Sequence, residues 1–94
     1  MGLSDVREQI ERIDSEILKL VAERTDLAGT VLELKRASGK KIEDGVQEQV
    51  VLNRAIDYAI ELCLDTGAIK QIFEILIRMS IERQHELSGE GNLP

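Results

Sequence analysis

Arg24 stands where an apolar residue is due. Leu3, Val6, Ile10, Ile13, Ile17, Leu20, Leu27, Val31 and Leu34 keep a beat of three and four, and the arginine takes the one missing beat. Such a beat marks the apolar stripe of a helix. A cation aimed into that stripe requires an anion from the protein or from a ligand. Lys35 follows eleven residues later, so it projects from nearly the same face about 16 Å further along. Asp44 and Glu48 are four apart and share a face of a later segment. Ser80 and Gln84 interrupt a third stripe that Phe73 and Ile77 open and Leu87 closes. Cations, carboxylates and neutral hydrogen-bonding groups turned inward together describe a small polar pocket for an anionic, hydroxylated ligand. Arg7 lies seventeen residues before Arg24, about 25 Å away on one helix. One small ligand cannot reach both from a single chain. An antiparallel second copy would bring its Arg7 beside Arg24 and Lys35.

Each residue also has a plainer reading. Arg24 alone could set the register of a coiled coil or lay its stem along the seam. Arg7 and Lys35 alone read as solvated charges. Asp44 reads as a helix cap and Glu48 as a first-turn partner of the helix dipole. Ser80 and Gln84 could be satisfied core polar groups, His85 a surface residue and Cys63 a packing residue. No Ser-His-Asp, Cys-His or Gly-rich phosphate arrangement is present.

Three helices must position these groups. The first is expected from a Ser4 cap, with Asp5 in its first turn, through Leu34 to a Ser38-Gly39 stop. The second is expected over about Asp44–Leu64, with Asp44 as its cap. "DTG" at 65–67 makes the turn, and the third helix is expected over about Ala68–Leu87. The fold class is all-α, in a single domain over 1–94 with its core at 4–87 and a flexible tail at 88–94. Composition agrees: 43% apolar and 32% charged residues, one Phe, one Tyr, no Trp and a single Pro at the last position suit a helical bundle. A first helix of about 34 residues would be about 50 Å long, whereas a compact chain of this size spans about 32 Å. The excess stripe needs cover, which predicts an intertwined homodimer. The net charge of −6 argues against nucleic acid and anionic membranes as partners. One cysteine and one histidine give no disulfide and no metal site. The expected location is cytoplasmic.

"VREQIERIDSEILKLVAERTDLAGTVLELK" at 6–35, "IED" at 42–44 with Glu48, and "IFEILIRMSIERQ" at 72–84 resemble the all-helical, AroQ-class chorismate mutases. The signals are the arginine spacing at the start, Ala-Glu-Arg at 22–24, the lysine eleven residues later, and Ser-x-x-x-Gln at 80–84. The resemblance runs from Arg7 to Gln84 without a gap. It implies a dimer with two sites, each closed by an arginine from the other chain, and the rearrangement of chorismate to prephenate on the route to Phe and Tyr. No cofactor and no metal is implied. Arg7 from the partner and Arg24 would bind the two substrate carboxylates. Lys35 would contact a carboxylate and the ether oxygen, to which Gln84 would also donate. Asp44 and Glu48 would hold the ring hydroxyl, and Ser80 would support a carboxylate. Lys35, Gln84, Arg24 and Glu48 would thus carry catalysis. The chain departs from the family at Gln47, where an arginine is usual, so one cation and its bidentate fork are missing. The alternatives are an isochorismate-pyruvate lyase of the same fold, disfavoured by a glutamate at 48, a silent regulatory or scaffold dimer, and an antiparallel coiled-coil adaptor.

Overall fold

A computed structural model describes residues 1–89, and these form three α-helices and no strand. Helix α1 runs Leu3–Ala37, α2 Gly45–Glu61 and α3 Thr66–Ser88. The first is capped by Gly2 rather than Ser4. Asp5 explains the difference: its carboxylate accepts the Gly2 backbone N–H at 2.9 Å, which sets the cap two residues earlier than expected. Asp44 caps α2 as expected, its Oδ1 accepting the Gln47 N–H at 3.1 Å. This helix ends at Glu61, short of Leu64, because Cys63 adopts a left-handed conformation with φ 57°. Cys63 is exposed, not a packing residue. The third helix starts at Thr66, two residues before expectation, because the Asp65 carboxylate caps it through the Ala68 N–H at 2.9 Å. At its far end Ser88 is still helical and Gly89 closes it with φ 86°. The rest of the expected tail, 90–94, lies outside the described residues.

Helix α3 packs on both α1 and α2, whose backbones do not approach each other. The molecule measures 54 × 28 × 23 Å with a radius of gyration of 16.6 Å, against about 12 Å for a compact chain of this length. The excess is α1. Its contact with α3 uses Ala28 and Leu32, which are buried, together with half-buried Val21, Arg24, Thr25 and Lys35. The stripe read from the sequence lies beside this face. Leu27 and Leu34 are 59% and 65% exposed, and Leu3, Ile10, Ile13, Ile17 and Leu20 are at least half exposed. The stripe is therefore not the seam within the chain, and Arg24 sits where the two faces meet. Val51, Ala55 and Ala59 bury the inner face of α2. Small side chains there let the helices approach closely and leave a modest core. No helix among the described residues is long and apolar enough to cross a membrane.

Candidate active site

Where the three helices meet, a cavity of about 180 Å³ is lined by Arg24, Val31 and Lys35 of α1, by Asp44, Gln47, Glu48 and Val51 at the start of α2, and by Ile77, Ser80, Ile81 and Gln84 of α3. Six of the seven expected ligand contacts, and Gln47, line this one space. Arg7 does not. It lies on the exposed first half of α1, about 25 Å from Arg24 along the helix.

The polar side chains hold one another in place. Lys35 Nζ donates to Gln84 Oε1 at 3.0 Å and to the Ile42 carbonyl. Gln84 is the buried polar residue of the described chain, 2% exposed. Its Nε2 donates to Ser80 Oγ at 3.2 Å. Arg24 Nη1 donates to the Leu76 carbonyl at 3.1 Å, using a lone pair left beside the helical bond. Each group keeps hydrogen-bonding capacity for a guest. The ammonium has a third N–H, the amide a second N–H, and the serine hydroxyl its own proton.

The charges that line the cavity are not paired with one another. Neither Arg24 nor Lys35 has a carboxylate within 4 Å among the described ion pairs. Burial first, and then the nearby Arg54 guanidinium, lower the pKa of Arg24 from its ordinary value. Arg24 thus gives up part of its solvation while its guanidinium stays charged. The carboxylates sit at the other wall: Asp44 and Glu48 are half-buried, Asp44 serving as helix cap and cavity wall at once.

Sequence reasoning missed three kinds of contributor. Val31, Val51, Ile77 and Ile81 form the apolar walls; all lie within three or four residues of an expected site residue, so helical spacing could have named them. The carbonyls of Leu76 and Ile42 carry no side-chain signal. His85, expected at the surface, is half-buried and bonds Glu43 through Nε2, a contact across 42 residues. That bond, ahead of smaller effects that include the Lys35 charge, holds the Glu43 carboxyl below its usual range.

Residues 6–85 match the family described as chorismate mutase type II. A chorismate mutase from Methanocaldococcus jannaschii is 39% identical over 75 residues, covering 80% of this chain and 76% of that protein. Bifunctional chorismate mutase/prephenate dehydratases from Escherichia coli K12 and from Buchnera aphidicola of Acyrthosiphon pisum are 33% and 31% identical over 82 and 81 residues. These alignments cover 87% and 86% of this chain but 21% of each relative, so the chain spans about a fifth of the bifunctional proteins. The chain belongs to the chorismate mutase type II family.

Proposed function

We propose that the cavity binds chorismate and converts it to prephenate, with Arg24, Lys35, Glu48 and Gln84 as its catalytic residues. The observation that carries this reading is the pair of inward cations without carboxylate partners, joined to a buried glutamine in a small, largely apolar space. The substrate is a dianion, so it brings the missing counter-charge. The rearrangement is unimolecular: one C–O bond breaks as one C–C bond forms. It needs no nucleophile. The chain must fold the enolpyruvyl arm over the ring and stabilise negative charge growing on the ether oxygen. Lys35 and Gln84, already bonded to each other at 3.0 Å, supply an ammonium N–H and an amide N–H to that oxygen. Arg24 and Ser80 bind a carboxylate. Asp44 and Glu48 accept the ring hydroxyl.

The second carboxylate falls to the partner's Arg7. Two chains paired antiparallel along the exposed stripe from Leu3 to Leu34 cover that stripe and carry the start of one α1 to the middle of the other. This supports an intertwined homodimer in which residues 4–87 of each chain act as one domain. Gln47 keeps a hydrogen-bonding amide at the cavity wall, where the family usually supplies an arginine. Incubating the purified chain with chorismate tests the reading: the chorismate absorbance falls and prephenate is the product. Absence of turnover, or release of pyruvate and salicylate from isochorismate instead, refutes it.

A further inference from the structure

The ammonium of Lys35 rests on two acceptors, the Ile42 carbonyl and Gln84 Oε1. Gln84 is fixed by its helix and by burial. Ile42 is not. It lies in the connector between the Ser38 cap of α1 and the Asp44 cap of α2. Outside the helices, backbone bonding on this stretch runs from the Lys40 N–H to Lys35, then resumes with the Glu48 N–H to Asp44. Among the described residues, no backbone N–H of 41–43 enters a backbone–backbone bond. Two side-chain ties among the described residues cross to this gap: Lys35 to Ile42, and His85 to Glu43.

The four positions interlock. Ile42 and Glu43 are neighbours, as are Gln84 and His85. Lys35 joins the first members of these two pairs, and the imidazole and carboxylate join the second. The path Lys35, Ile42, Glu43, His85, Gln84 and back to Lys35 is a closed ring of contacts. Opening it at its outer edge leaves the carbonyl under Lys35 on a stretch with no ladder to hold it.

Resting on the reading of the cavity as a mutase site, we propose that Glu43 and His85 are positioning residues, a clasp that fixes the Ile42 carbonyl and with it the catalytic ammonium of Lys35. Neither touches substrate. Exposed ion pairs contribute little to stability, so the clasp acts on placement. An ammonium displaced from the developing oxyanion costs rate far more than it costs ground-state binding, because the charge it meets exists only in the transition state.

The test uses the full chain with His85→Ala, Glu43→Ala, the double variant and His85→Gln, whose amide N–H sits where the imidazole Nε2 does. Each alanine variant is expected to lose about tenfold in kcat on chorismate, with KM and the unfolding midpoint unchanged. The double variant should be no slower than either single one, and His85→Gln should recover most of the rate. Unchanged kcat, losses that multiply, or a glutamine variant as slow as the alanine one would overturn the clasp. His85 is the sole histidine of the chain, so its ring resonances report the contact without any turnover. They should titrate at lower pH in Glu43→Gln than in the unaltered chain; identical titration overturns the clasp. An unaltered chain that is inactive on chorismate but shows the titration difference refutes the mutase reading and with it the positioning role.

Discussion

The two halves of α1 carry the same apolar beat and meet opposite fates. From Val21 onward one face packs on α3, buries Ala28 and Leu32, and delivers Arg24 and Lys35 into the cavity. From Leu3 to Leu20 every residue is exposed, including six large aliphatic side chains at least half open to solvent. An isolated helix gains little from propensity alone, and a bare stripe of this length exceeds what a monomer ordinarily shows. The difference teaches that one chain supplies three helices and a cavity lined by two cations, and leaves half of its longest helix bare. Arg7, which lies outside the cavity, stands on that bare half.

The comparison can be broken from the cavity side or from the bare side. The largest effect is expected from Lys35→Ala: turnover of chorismate should fall by about a thousandfold, the loss of one preorganised donor to a developing oxyanion. Sedimentation should still show a dimer. Ile13→Asp attacks the bare half, where Ile13 is 58% exposed in the single chain. If the stripe is a dimer seam, this change buries an unpaired carboxylate in each copy and costs about 3–5 kcal/mol. Dissociation and loss of most turnover should appear together, whereas a solvated stripe would tolerate the change. Gln47→Arg sharpens the account, because it restores a fork at the cavity wall. Its KM should drop about tenfold, while an equal or higher KM would show that position 47 faces no substrate carboxylate. The smallest effect is expected from Gly29→Ala in the packed half. A Cβ there would lie 3.6 Å from Leu87 Cδ1, an ordinary contact. Removing the glycine's conformational cost should stabilise the chain by about 1 kcal/mol in urea unfolding.

Much of this was legible in the residues. Helical periodicity placed three helices, Asp44 announced the start of the second, and polar residues on apolar beats identified the groups that line the cavity. The losses have physical causes. Beat alone cannot say which of two adjacent stripes on α1 faces the same chain, since Leu27 and Ala28 are equally apolar and only packing assigns them. The end of α2 moved because Cys63 accepts a left-handed turn that its residue type does not advertise. Carbonyls such as those of Ile42 and Leu76 bind Lys35 and Arg24 without leaving any mark in composition. The His85–Glu43 bond joins residues 42 apart, a separation no local period encodes.

The central claim, that each site takes its cations from two chains, has a direct test by complementation. Arg7→Ala and Lys35→Ala are each expected to be nearly inactive alone. Refolded together in equal amounts, they form mixed dimers in which one site receives an intact Lys35 from its own chain and the partner's intact Arg7. Random pairing should then restore about a quarter of the unaltered turnover. A mixture as inactive as its two components would place Arg7 and Lys35 in service of the same chain, or of no common site, and would contradict the account.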